Sequence, residues 1–283
     1  MDLFSDAVPA TWIVLDLETT GLNPGPDRII EIAAVRFSGG RELEHFTTLV
    51  DPGMMLASII TQVTGLTDED LKGKPAIEQV LPEFLAFAKR DPLIAHNAGF
   101  DLGFIQYEII RQGLRASMNR IVDTLEIARS VLPQLPNHKL QTLLAHYGID
   151  PGRAHRALDD ARATWELFER MRKDAGDLTT WAVFDRRQAA TQAPHSLRPG
   201  ADATTGTLAS LARTIQAAID RGSRLRVHYD DSGPDEGEQL LAPLGIFSLY
   251  GTPRLIARTA EGNEERQLRL DRIEIVGYEQ PAP

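Results

Sequence analysis

Thr11-Trp-Ile-Val-Leu-Asp-Leu-Glu-Thr-Thr-Gly-Leu22 is the stretch that decides how this chain folds. An apolar run ends in Asp16-Leu-Glu18 and then a Thr/Gly turn, which predicts a buried strand with its polar end at a sheet edge. Residues i and i+2 of a strand share a face, so Asp16 and Glu18 point the same way. Two carboxylates held so close repel unless a cation lies between them. Two later segments bring more such groups: His96-Asn-Ala-Gly-Phe-Asp101, after the short apolar run Leu93-Ile-Ala, and His155-Arg-Ala-Leu-Asp-Asp160-Ala, opening a helical stretch. Asp16, Glu18, Asp101 and Asp160 converging on one cleft would be the arrangement that hard divalent ions need when they work on phosphate.

Outward from that strand, Arg28–Phe37 reads as a buried strand and Glu44–Val50 as a more alternating one, forming a meander with Thr11–Asp16. Pro75–Arg90 carries Ile77, Val80, Leu81, Phe84, Leu85 and Ala88 on one helical stripe. Short strands at Leu93–His96 and Arg120–Asp123 alternate with helices at Phe100–Gln112, Thr124–Leu132, Lys139–Tyr147 and Ala157–Lys173. This order predicts an α/β domain with a mixed sheet and flanking helices, of the ribonuclease-H-like kind.

The three segments, in this order and across roughly Trp12 to Arg172, resemble the motifs of the DEDDh exonucleases. That superfamily includes polymerase proofreading subunits, ribonuclease T and oligoribonuclease. The resemblance implies 3′→5′ hydrolysis of nucleic-acid ends to nucleoside 5′-monophosphates, with two divalent cations, Mg²⁺ or Mn²⁺, held by Asp16, Glu18, Asp101 and Asp160. His155 is then the base that takes a proton from the attacking water, a role an imidazole suits near neutral pH. The expected partner is a nucleic acid with a free 3′ end, DNA in preference to RNA, with replication or repair proteins as further partners. A ribonuclease acting on RNA 3′ ends is the alternative within the same chemistry. A non-catalytic regulator that binds nucleic acid is the alternative outside it.

Neighbouring residues have their own expected parts. Asp159 and Asp160 diverge by about 100° around a helix, so only one faces the site; the spacing from His155 selects Asp160. Thr19, Thr20, Gly21 and Leu22 form the turn after the first strand, where backbone amides could hold the terminal nucleotide and Leu22 could wedge against its base. His96 and Asn97 are read as shaping the groove or contacting phosphate, and Phe100 as apolar substrate surface. Asp123 ends a strand as a fifth candidate carboxylate and is read as structural or as supporting the metal ligands from behind.

The sequence from Arg186 to Gly206 lacks an apolar period and is rich in Ala, Thr, Pro and Gly, so it reads as a linker. It separates an exonuclease domain, 1–185, from a second domain, 207–283. There an amphipathic helix at Thr207–Arg221 precedes short strands at Arg224–Tyr229, Leu240–Leu249, Leu255–Thr259 and Gln267–Val276, which together suggest a small β-barrel. Ile215-Gln-Ala-Ala-Ile219, Leu225-Arg-Val-His-Tyr229, Ala242-Pro-Leu244 and Arg269-Leu-Asp-Arg272 resemble a WYL domain, which implies an Sm-like barrel. Pro253-Arg254-Leu255 stands where the naming Trp-Tyr-Leu would be.

At 283 residues, with 42% hydrophobic and 25% charged, the chain supports more than one packed core. No apolar run approaches the roughly 20 residues that span a bilayer, and Met1-Asp-Leu-Phe-Ser-Asp6 has no basic start or apolar stretch of a secretory signal. The absence of cysteine excludes disulfides and thiolate metal sites and fits a cytoplasmic location. A formal charge of −10 argues against a protein that coats nucleic acid, but not against an enzyme that grips one strand end through bound cations.

Overall fold

The computed structural model describes residues 10–117, 119–174, 199, 208–230 and 237–279. The expected linker therefore lies outside the described residues apart from Pro199. In chain order the first part contains β1 (Thr11–Thr19), β2 (Ile29–Ser38), β3 (Arg41–Leu49), α1 (Ser58–Thr64), α2 (Asp68–Leu71) and α3 (Ile77–Ala88). It continues with β4 (Leu93–Ala95), α4 (Ala98–Gln112), β5 (Ile121–Asp123), α5 (Thr124–Val131), α6 (Leu140–Tyr147) and α7 (Ala157–Asp174). The second part has α8 (Ala209–Arg221), β6 (Arg224–Tyr229), β7 (Gly237–Leu249), β8 (Thr252–Thr259), β9 (Glu265–Arg269) and β10 (Ile273–Glu279).

The first sheet has the order β3-β2-β1-β4-β5, with β1 at its centre. β2 and β3 form the antiparallel meander, while β4 and β5 run parallel to β1. Helices cover both faces, which explains why the start of β1 is apolar at every position. Trp12 and Val14 pack with Val35, Phe37, Ile94 and Val122 under α5, α6 and α7. Ile13 and Leu15 pack on the opposite face against α3 and α4. Asp16 and Glu18 continue the Trp12–Val14 face and so turn towards α7. That helix is anchored where Trp165 stacks on Phe37, their ring centroids 4.4 Å apart. The mixed α/β fold is as the sequence suggests; α1 and α2, which no periodic apolar stripe announces, are additional.

The second sheet corrects the expected barrel. Its five strands are antiparallel in the order β10-β6-β7-β8-β9, and among the described residues no ladder joins β10 to β9. The run expected as one strand, Gln267–Val276, is divided by a 3₁₀ turn at Leu270–Arg272 into β9 and β10, which lie at opposite edges. A flat sheet of this width would hold its edges about 19 Å apart, whereas the chain between Arg269 and Ile273 spans at most about 14 Å. The sheet must therefore curl, but it stays open. The sequence showed four runs where five strands form, and it did not show which edges pair. Ile215 and Ala218 of α8 pack with Leu225, Val227, Leu241, Leu255 and Leu268 inside the curl.

The two sheets meet along α4. Tyr107 packs with Phe247, Leu249 and Ile256, and Ile110 and Leu244 flank them. Gln106 Oε1 accepts from Ser248 N at 2.9 Å within this buried contact. Two glycines permit the approach: a Cβ on Gly103 would lie 2.7 Å from Leu249 Cδ1, and one on Gly245 would lie 2.7 Å from Ile110 Cγ1. The chain from β7 thus packs directly on the helix that carries Asp101.

Candidate active site

The carboxylates gather at the C-terminal end of β1, where a parallel neighbour and the start of two helices leave room for side chains. Asp101 lies in the first turn of α4 and is buried; its Oδ1 accepts from Leu17 N at 3.0 Å, fixing it against β1 between Asp16 and Glu18. Asp160 lies in the first turn of α7 and is also buried. Its Oδ2 accepts from His155 N at 2.8 Å, while its Oδ1 is buried without a hydrogen-bond partner. One ligand-type atom from each of Glu18, His155 and Asp160 lies within 4.8 Å of the other two.

The electrostatics follow from that crowding. Burial, and then the charges of Asp101, Glu18, Asp160 and Glu31, raise the Asp16 pKa well above the usual carboxylate range. Burial and the charges of Asp160 and Glu31 push Glu18 up to about 8, with Arg156 opposing them. Burial likewise raises Asp101 well above its ordinary value, and Asp160 to about 6. Acids pushed this far by one another are stabilised by a cation. The unpartnered Asp160 Oδ1 supplies a free donor atom, so the residues fit a hard divalent ion.

His155 is exposed and sits just before α7 with φ of 60°, a left-handed backbone rarely adopted outside glycine. The arrangement behind it was missed from the sequence. Glu31 of β2 faces Glu18 across the strand pair, is buried, and accepts from Arg156 Nε and Nη2 and from Ala157 N at 3.1, 3.0 and 3.2 Å. A signal existed: Glu31 interrupts the apolar Ile29-Ile-Glu-Ile-Ala-Ala-Val, and a buried charge needs a partner. Asp159 points elsewhere and pairs with Arg153 at 3.1 Å.

His96 is brought near the site but is not available to a phosphate. Its Nδ1 pairs with Thr124 Oγ1 at 2.9 Å and its Nε2 with the His138 carbonyl at 3.0 Å. Burial lowers its pKa to about 4, so the ring is neutral. Asn97, in the left-handed region at φ of 63°, opens α4; its N and that of Ala98 donate to the two Asp123 oxygens at 3.0 Å each. Asp123 also caps α5 through Leu125 N at 2.9 Å, which is the structural part read for it. Thr19 donates to the Gly21 carbonyl at 2.6 Å and Thr20 Oγ1 accepts from Arg28 N at 2.9 Å, so both hydroxyls hold the turn. Gly21 leaves space for the Asp27 carboxylate, 2.4 Å from where a Cβ would be. Leu22 is 65% exposed. Phe100 is partly buried and stacks obliquely on Phe104, 5.1 Å between centroids.

This architecture has relatives. Residues 13–168 match the exonuclease family model of the ribonuclease T type, and residues 210–276 match the WYL domain. The chain belongs to that exonuclease family. The DNA polymerase III PolC-type of Halalkalibacterium halodurans is 44% identical over 164 residues, covering 58% of this chain and 11% of the polymerase. That of Listeria monocytogenes is 41% identical over 169 residues, covering 60% and 12%. The chain thus spans about a tenth of the length of the curated relatives it matches. Among solved structures, the nuclease domain of 3′hExo bound to rAMP superposes with a TM-score of 0.52 at 20% identity, over 64% of this chain and 98% of that one. Escherichia coli exonuclease I in complex with a dA16 oligonucleotide gives 0.54 at 16% identity, over 96% of this chain and 65% of that one. These two likenesses concern the fold. No helix among the described residues is long and apolar enough to cross a membrane.

Proposed function

We propose that this chain removes nucleotides one at a time from the 3′ end of a nucleic acid, with DNA as the preferred substrate, and releases nucleoside 5′-monophosphates. The observation that carries the reading is the gathering of Asp16, Glu18, Asp101 and Asp160 beside His155, with the acids' pKa values raised by burial and one another. Two divalent cations, Mg²⁺ or Mn²⁺, held by the four carboxylates would supply Lewis-acid activation of water and neutralise charge on the phosphate and the leaving oxygen. His155 accepts the water proton as the water oxygen bonds to phosphorus. The bond from phosphorus to the penultimate 3′ oxygen breaks, and that oxygen leaves as a 3′ hydroxyl after protonation. The Glu31–Arg156 pair holds the His155 segment against β2. Thr19, Thr20 and Gly21 shape the turn that borders the terminal nucleotide, and Leu22 and Phe100 offer it apolar contact.

The DNA preference is supported by two relatives that share the exonuclease part at 44% and 41% identity, both DNA polymerases. Replication or repair proteins are the partners this favours. The domains are taken as 1–185 and 207–283, with 186–206 between them. Matched single-stranded DNA, duplex DNA and RNA of one sequence, each with the full chain and Mn²⁺ and with products resolved at one nucleotide, test the reading. Faster shortening of DNA than of RNA is expected; equal or faster shortening of RNA would move the substrate to RNA ends.

A further inference from the structure

The hairpin between β7 and β8 carries a residue of the second sheet to the rim of the carboxylate cluster. Its two turn residues, Tyr250 and Gly251, both have positive φ, 48° and 73°, and Leu249 pairs with Thr252 across them. A two-residue hairpin of this kind favours Asn-Gly. An aromatic residue in the first position is strained there and marks a place where the side chain has a use. Tyr250 is 48% exposed, so it fills no core. Its ring instead reaches the nuclease fold: the centroid lies 6.1 Å from that of Phe100, with the planes 33° apart. Its backbone N donates to the Gly99 carbonyl at 3.4 Å. Phe100 directly precedes Asp101, and the Asp101 carboxylate, after burial, is what raises the Tyr250 phenol pKa. The same sheet also holds the loop that presents Leu22, through Gln267 Nε2 donating to the Pro24 carbonyl at 2.5 Å.

We propose that Tyr250 and Phe100 form a two-ring platform on which nucleobases near the substrate 3′ end stack, so that the WYL domain supplies part of the substrate-binding surface. The proposal rests on the exonuclease reading above. Phosphate is handled by the acidic cluster, and the adjoining surface needed for a strand end is an uncharged π face, which binds any base. A half-exposed ring from the second domain and a partly buried one from the nuclease fold, side by side at the cluster, meet that need.

Tyr250→Asn and Tyr250→Phe, both in the full chain, test this. Asn suits the left-handed turn, so its melting temperature should equal or exceed that of the wild type. Its KM on a single-stranded oligonucleotide should rise about 5- to 100-fold, the range for one lost stacking contact, with kcat retained. Tyr250→Phe keeps the ring and should keep the wild-type KM. On an oligonucleotide abasic at its last two positions, wild type and Tyr250→Asn should have the same KM. An unchanged KM for Tyr250→Asn on the intact oligonucleotide, or a rise that persists on the abasic one, overturns the proposal. Anisotropy of a fluorescein-labelled oligonucleotide reads the stacking contact without turnover. An inactive wild type would therefore overturn the exonuclease reading alone, while an unchanged Kd in Tyr250→Asn would overturn the platform.

Discussion

Arg156 grips Glu31 with two guanidinium nitrogens, at 3.1 and 3.0 Å, and thereby ties the start of α7 to the strand beside Asp16 and Glu18. A forked guanidinium matches a carboxylate in both distance and plane. His155 immediately precedes this Arg, and Asp160 follows one helical turn later, so the pair sets where base and ligand stand.

Arg156→Ala should destabilise the protein by about 3 kcal/mol, because it leaves a buried carboxylate without its counter-charge. Turnover should fall about 10- to 100-fold through misplacement of His155, although no ligand is removed. Arg156→Lys should recover only part of the loss, since an ammonium cannot form the fork. Thermal unfolding and single-turnover rates at saturating Mn²⁺ check both effects. Wild-type turnover in Arg156→Ala would show that the segment needs no anchor there.

The raised acids make metal-free stability depend on pH. Glu18 is pushed to about 8 and Asp160 to about 6, so the folded protein keeps protons that the unfolded chain releases near pH 4. Their stabilising contribution is complete below about pH 4 and is lost as the pH rises through about 6 and 8. In EDTA the melting temperature should therefore fall from about pH 5 to 8, and Mn²⁺ should restore it most at the upper end. Asp16→Asn removes one charge from the cluster and should flatten the trend. Calorimetry that shows stability rising over this interval in EDTA would contradict the cluster's raised pKa values.

The two histidines should separate cleanly. His155→Ala should lower kcat by about 10²–10⁴ and leave oligonucleotide binding nearly intact, as expected for a lost general base. His96→Ala leaves the His138 carbonyl without its ring partner and takes one of two partners from the buried Thr124 hydroxyl, which keeps the Ala95 carbonyl, and should cost about 1–3 kcal/mol of stability. With His96→Ala, the surviving folded fraction should show the wild-type pH–rate profile. An unchanged rate in His155→Ala would move the proton acceptor elsewhere.

The close packing of α4 on β7 gives a test of domain coupling away from any proposed ligand. Gly245→Val places a branched side chain where Ile110 already stands, a Cβ alone coming within 2.7 Å of it. Overpacking of this kind costs about 1–3 kcal/mol and should loosen the two sheets. Limited proteolysis between them should accelerate, and KM on oligonucleotides should rise as the Tyr250 hairpin withdraws. All five groups of the proposed chemistry lie within 1–185, so that fragment should retain hydrolysis. Its α4 face around Tyr107 and Ile110 loses its cover, however, and the fragment should be less stable than the full chain.

Local signals made much of this visible in the sequence. The apolar run before Asp16 announced a buried strand, and a period-3.6 stripe announced α3. Asp16 and Glu18 were legible because strand geometry puts them on one face, whereas Asp101 and Asp160 were picked out by the resemblance of their segments to the exonuclease motifs. What stayed hidden depends on long-range pairing. The Glu31–Arg156 contact joins residues 125 apart, and no spacing rule reports it. The open curl of the second sheet depends on which edges bond, not on how many strands there are. No local pattern marks Gly103 and Gly245, because what requires a glycine there is the contact between the two domains.

The most direct test is to follow a 5′-labelled single-stranded DNA with the full chain and Mg²⁺ or Mn²⁺, beside Asp16→Ala and Asp160→Ala. Stepwise shortening from the 3′ end by the wild type, with nucleoside 5′-monophosphates released and no shortening by either variant, is the expected result. Internal cuts, loss of the 5′ label as a mononucleotide, or near wild-type shortening by Asp16→Ala would contradict hydrolysis by the carboxylate cluster.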